Sequence, residues 1–96
     1  MQFTYRRSYL QRFDRFSIDK QALIDQTNEQ IRTYYATRQA PFGLRIKLLY
    51  SKGPGKIFEA RVSQSIRIVW GEEGNTVSFE LVGLHDEVKR YLRTRR

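Results

Sequence analysis

Two hydrophobic periods divide the chain. Residues 3–7, Phe3-Thr4-Tyr5-Arg6-Arg7, alternate apolar with polar and predict a short first strand. Tyr9, Leu10, Phe13 and Phe16 then follow helical spacing and predict two turns of helix. Ser17 is an N-cap type, and Asp19 suits the positive end of the helix that follows. That second helix is predicted over 18–38. Its apolar stripe is Leu23, Ile24, Thr27, Ile31, Tyr34 and Tyr35, while Asp25, Asn28, Glu29 and Arg32 fall on the wet side. Pro41 and Gly43 are its stop signals.

After Gly43 the period changes to two. Leu44, Ile46 and Leu48 alternate with Arg45 and Lys47. A basic glycine-rich loop, Ser51-Lys52-Gly53-Pro54-Gly55-Lys56, interrupts them. Phe58, Ala60 and Val62 alternate with Glu59 and Arg61, and Ser63-Gln64-Ser65 turns the chain. Ile66, Ile68 and Trp70 alternate with Arg67 and Val69, and a turn over 71–75 follows. Val77, Phe79 and Leu81 alternate with Ser78 and Glu80, and a last short helix is predicted over 86–93. Short turns between successive strands imply antiparallel neighbours. The predicted class is α+β. An N-terminal strand and helical hairpin pack on one face of a small antiparallel sheet, with a short C-terminal helix. Ninety-six residues are enough for one domain, 1–96, with one modest core.

Composition adds chemistry to this frame. No cysteine is present, which excludes disulfides and thiolate-held metal. One histidine and few clustered acids imply no metal site and no cofactor. The first residues hold no apolar leader and no stretch has membrane-span length, so no membrane is expected and the cytoplasm is the expected location. Eighteen Lys and Arg oppose ten Asp and Glu, a formal charge of +8. Thirteen of the eighteen are arginine, the cation best suited to bidentate phosphate contact. Nucleic acid is the partner this balance points to first. The glycine-rich loop lacks the spacing of a nucleotide-cradling loop and precedes no helix, so nucleotide binding is set aside.

Strand alternation collects charge on one face. If the apolar positions face the helices, Arg45, Lys47, Glu59, Arg61 and Arg67 face away, with His85 at the end of the last strand. Alternation of this kind is also what a merely solvated face shows.

The ordered motifs "LRIKLL", "IFEARVSQSIRIVW" and "VSFELVGLHDEVKRYL" resemble the RelE/ParE superfamily of bacterial toxin–antitoxin toxins, over residues 44–92. The helical half is similar in architecture only. The resemblance implies a sheet covered on one side by a helical hairpin, with the active surface on the opposite face. It also implies a ribosome-associated endoribonuclease that cleaves mRNA without metal, held inactive by a cognate antitoxin in a hetero-oligomer. By position in the motifs, Glu59 and Arg61 stand where two catalytic or phosphate-contacting side chains belong on one strand. Lysines are usual there, and Glu59 departs from that pattern. Arg67 takes transition-state charge stabilisation and His85 the role of general acid, an imidazole being the side chain that ordinarily titrates nearest neutral pH. The family's base-stacking tyrosine position holds Lys89, and Tyr91, two residues on, is the candidate to replace it in the catalytic set. Tyr91 is equally suited to packing the last helix on the sheet. Arg45, Lys47, Lys52, Lys56 and Lys89 read as contacts to RNA phosphate. Arg93, Arg95 and Arg96 read as an electrostatic arm or a frayed solvated end. Two other readings stay open: a ParE-like gyrase inhibitor acting by protein binding, and a non-catalytic RNA- or antitoxin-binding member.

Overall fold

The two periods of the sequence resolve into layers around one sheet. The structure is a computed structural model that describes residues 1–95, so Arg96 lies outside the described residues. The strands are β1 (Gln2–Tyr5), β2 (Lys47–Lys52), β3 (Gly55–Arg61), β4 (Ile66–Glu73) and β5 (Thr76–Leu84). The helices are α1 (Arg7–Phe13), α2 (Ile18–Thr37) and α3 (His85–Arg95). The sheet order is β1-β5-β4-β3-β2, with β1 parallel to β5 and every other pair antiparallel. The expected strand, hairpin, meander and last helix are all present.

The first layer is the hairpin. Ser17 caps α2 by accepting from the Lys20 amide at 3.3 Å. Ile24, Ile31 and Tyr35 bury the inner side of α2 against Ala60, Ile68, Trp70, Val77 and Phe79. Trp70 is wholly buried, and its indole N–H donates to the Tyr35 hydroxyl at 2.8 Å; that hydroxyl in turn donates to Glu72 Oε1 at 2.8 Å. Burial pushes the Tyr35 and Tyr9 hydroxyls well above their ordinary titration range, so both remain neutral hydrogen-bonding groups.

Several sequence expectations change here. The first strand ends at Tyr5, because Arg6 starts α1 as its N-cap residue. Asn28 is buried rather than wet. Its side chain sits between two tyrosines, accepting from the Tyr5 hydroxyl at 2.6 Å and donating to the Tyr9 hydroxyl at 3.3 Å. Leu23, placed on the stripe, is half-exposed. Helix α2 ends at Arg38, which takes the left-handed conformation (φ 60°) and closes the last turn onto the Tyr34 carbonyl. The glycine-rich loop shrinks to Gly53-Pro54, since Ser51, Lys52, Gly55 and Lys56 all pair in the β2–β3 hairpin. Likewise β4 continues through Glu73, leaving Gly74-Asn75 as the turn.

Two bulges decide the second face. The β4–β5 register shifts between Val69 and Trp70, where Val69 pairs with Leu81 and Trp70 with Phe79. Glu80 is the additional residue, and a bulge of this kind turns neighbouring side chains to one side. Phe79 therefore joins the core under the hairpin, while Leu81 joins Ile57, Val69 and Val88 on the opposite face. A matching shift between Leu48 and Tyr50 turns Leu49 and Tyr50 to that same face. This corrects the expectation that Leu81 faces the hairpin. It also shows that the far face is not uniformly charged: α3 covers its middle.

Candidate active site

The uncovered end of that face is a cleft of about 380 Å³ lined by Arg45, Ile46, Lys47, Glu59, Arg61, Arg67 and His85. Strand register builds it. Lys47 pairs with Glu59 across β2 and β3, Arg61 pairs with Arg67 across β3 and β4, and Arg67 pairs with Gly83 across β4 and β5. Glu59 and Arg61, two apart on β3, project to the same side. His85 is the first residue of α3, directly after β5. Arg67 thus lies on the strand between the one that ends at His85 and the one that carries Glu59. Glu59 stands two residues before Arg61 on β3, and His85 two residues past Gly83, the partner of Arg67, so the carboxylate and the imidazole lie on either side of the Arg61–Arg67 rung along the strand direction.

The electrostatics of this arrangement are unfavourable for folding. Arg61 and Arg67 stand directly opposite each other, and like charges in that relation destabilise a sheet. Four cations share the cleft with one carboxylate. The ion pairs among the described residues, Arg12–Glu87 and Arg95–Glu80, both lie outside it. Arg67 is held by its own turn. Its Nη1 donates to the carbonyls of Ser63 at 2.8 Å and Gln64 at 2.9 Å. These bonds fix where the guanidinium points without neutralising it.

The last helix is set just as firmly. The Leu84 amide donates to Glu87 Oε1 at 3.1 Å, the reach-back of a helix start, and Glu87 Oε2 is paired with Arg12 of α1. Gly83 leaves room for this: a Cβ there meets Glu87 Oε1 at 3.3 Å. Asp86 and Glu87 belong to the helix start, as the sequence implied. His85, the residue before them, is exposed and lines the cleft.

Not every predicted site residue converges here. Arg45 lines the cleft, but from outside β2 and with a left-handed backbone (φ 52°) instead of a strand conformation. Lys52 and Lys56 pair with Gly55 and Glu72 at the far end of the hairpin, so the structure does not bring them to the cleft. Lys89 is exposed on α3, one helical turn beyond His85. Tyr91 is turned away. It packs with Ile57, Val69, Leu81 and Val88, and its hydroxyl donates to Glu80 Oε1 at 2.9 Å. Burial, reinforced by that bond to Glu80, pushes its hydroxyl pKa up. Tyr91 has the packing role weighed for it, and the structure does not bring it to the cleft. Arg95 is likewise no loose arm: its Nη2 donates to Glu80 Oε2 at 3.0 Å. Arg93 is exposed.

Glu80 itself escaped the sequence reading. It is a carboxylate only 1% exposed, held by Tyr91 and Arg95 beside a second, mixed-charge cleft of about 320 Å³ that Arg6, Lys56 and Glu73 help to line. Alternation set it beside Ser78 as a solvated position, and the bulge that buries it has no local signal in the sequence.

A sheet of this order, with a helical hairpin on one face and a C-terminal helix on the other, defines the RelE-like α+β fold. The structures it matches include a YoeB/ParE toxin and a RelB–RelE antitoxin–toxin complex. The RelE of a RelE–RelB complex from Pyrococcus horikoshii superposes with a TM-score of 0.68 at 7% identity, over 86% of this chain and 92% of that one. A YoeB/ParE toxin from Agrobacterium tumefaciens gives 0.64 at 18% identity, over 88% and 99%. YafQ from Escherichia coli, in complex with DinJ, gives 0.62 at 13% identity, over 90% and 94%. No protein-family model matches the chain, and no curated protein sequence does either.

Proposed function

We propose that the protein is the toxin of a toxin–antitoxin pair and an endoribonuclease that cleaves mRNA on the ribosome. The observation that carries this reading is the directly opposed Arg61–Arg67 pair, flanked by His85 and Glu59. Two arginines paired across neighbouring strands are unfavourable in the free protein and favourable around a phosphate, whose extra negative charge in the transition state they offset. The RNA 2′-oxygen attacks the adjacent phosphorus, and the Glu59 carboxylate takes its proton. The P–O5′ bond breaks, and the His85 imidazolium protonates the departing 5′-oxygen. The products are a 2′,3′-cyclic phosphate and a 5′-hydroxyl. In-line displacement needs base and acid on opposite sides of phosphorus, and the two side chains flank the arginine pair in that sense. Arg45 and Lys47 hold the neighbouring phosphates of the strand.

One matched structure, from Methanococcus jannaschii, is a RelB–RelE antitoxin–toxin complex. The excess of cations makes a partner chain with an acidic segment the natural occupant of the same cleft here.

His85→Ala and Arg67→Ala should each lower message cleavage on purified ribosomes by roughly 10²- to 10³-fold, with the circular dichroism of the folded protein retained. Full activity in both variants removes the assignment. Accumulation of DNA breaks with messages intact, on expression without a partner, replaces it with gyrase poisoning.

A further inference from the structure

The cleft as described has cations, a carboxylate and an imidazole, but no Phe, Tyr or Trp lines it. Tyr91, the aromatic that sequence position offered, is committed to Glu80 and the sheet. Nothing in the cleft therefore reads the flat face of a base. Phosphate contacts hold a strand, whereas stacking on an aromatic ring holds the bases of single-stranded RNA.

Phe42 offers that surface. Phe3, Phe13, Phe16, Phe58 and Phe79 all pack into the core under the hairpin, while Phe42 is 104% exposed. A lone apolar residue on a surface needs no explanation by itself. What decides here is how Phe42 is held and where. The Leu44 amide donates to the Pro41 carbonyl at 3.2 Å, closing a four-residue turn with Phe42 and Gly43 at its centre. Gly43 has φ 93°, the value a type II turn requires at its third position. The side chain at the second position is thereby presented outward on a defined backbone. Immediately after the turn, the Leu44 carbonyl accepts from the Arg61 amide at 2.9 Å, and Arg45 enters the cleft with its left-handed backbone. Phe42 lies three residues before Arg45, so their backbones are at most about 11 Å apart, and the exposed ring is within reach of a strand bound at the Arg45 end of the cleft.

We propose that Phe42 is the stacking platform for a base of the RNA strand whose phosphates occupy the Arg45–Arg61–Arg67 cleft. The proposal rests on the nuclease reading and deepens it. It moves the aromatic contact from the last helix to the turn between α2 and β2. The strained Arg45 backbone serves this placement: it turns the chain from the displayed ring into the cationic cleft within three residues.

The test uses the full chain and a short single-stranded RNA carrying 2′-O-methyl groups, which blocks cleavage. Phe42→Ala should weaken binding at low salt by roughly 5- to 150-fold, the range of one base–aromatic stack. Phe42→Tyr and Phe42→Trp should bind as the wild type does. The natural indole, Trp70, is wholly buried, so in Phe42→Trp the added exposed indole reports directly, and its emission should be quenched as RNA binds. Equal affinity of Phe42→Ala and wild type, or unquenched emission on saturation, overturns the stacking and leaves the nuclease reading intact. A wild type that binds no RNA sinks both. Should Phe42→Ala instead weaken only the capture of an acidic partner chain, the ring belongs to a protein interface and the proposal fails.

Discussion

At the scale of single residues, small side chains carry as much of the architecture as the charged ones. Gly71 is the clearest case. Its backbone is ordinary, but a Cβ there meets Glu80 Oε2 at 2.9 Å and Ile57 Cδ1 at 3.3 Å. The carboxylate cannot swing aside, because Tyr91 and Arg95 hold both its oxygens. Gly71→Ala should therefore lower stability by about 1–3 kcal/mol, read as a fall in the urea midpoint with an unchanged slope. The opposite outcome, a gain from reduced chain entropy, would show that Glu80 is free to move. Of the cleft residues, Glu59, Arg61 and Arg67 were legible from alternation alone, because β3 and β4 run without a bulge where those three sit. Arg45 reached the cleft for a different reason than the one predicted. Local alternation does not encode a left-handed backbone at a residue that is not glycine.

At the scale of elements, α3 is the part whose role the sequence left most open. Its terminal arginines read equally as an electrostatic arm or a solvated end. In the structure it is a strap across the far face of the sheet, pinned at its start by Glu87 and at its end by Arg95. The Glu80–Arg95 pair joins a buried carboxylate to a mostly covered guanidinium. Arg95→Ala should thus cost about 1–3 kcal/mol of stability and raise amide exchange in the last turns of α3 before the sheet opens. Uniform exchange across α3 and β5 would show that the strap is held by Val88 and Leu92 instead. The edges of β2 and β5 were misread for one physical reason. A bulge adds a residue and swaps the faces beyond it, so the period-two rule assigns Leu81 to the wrong side.

At the scale of the whole molecule, the charge is not spread evenly in its consequences. Some cations elsewhere are paired or stacked, as Arg12 is with Glu87 and Arg38 is over the rings of Tyr34 and Tyr35. The four in the cleft form no ion pair among the described residues. Binding of single-stranded RNA should then fall with salt on a log–log slope of about −3, the value for four phosphates at roughly −0.7 each, and Lys47→Gln should reduce that slope by about 0.7. A flat response would separate the protein from phosphate-led binding. Among the described residues no helix is long and apolar enough to cross a membrane.

The division of labour between sequence and tertiary structure follows from range. Periodicity, caps and turn residues act over a few positions, so the sequence by itself determined the order of strands and helices, the hairpin layer, the cationic face and His85 at the end of the last strand. It also carried the motifs behind the RelE/ParE resemblance, and the matched folds agree with the architecture that resemblance implied. Which strands neighbour which, where bulges reverse the faces, and which aromatic is free depend on contacts between residues far apart in the chain. Only the tertiary structure decided that β1 runs parallel beside β5, that Glu80 claims Tyr91 and Arg95, and that Phe42 is left facing solvent.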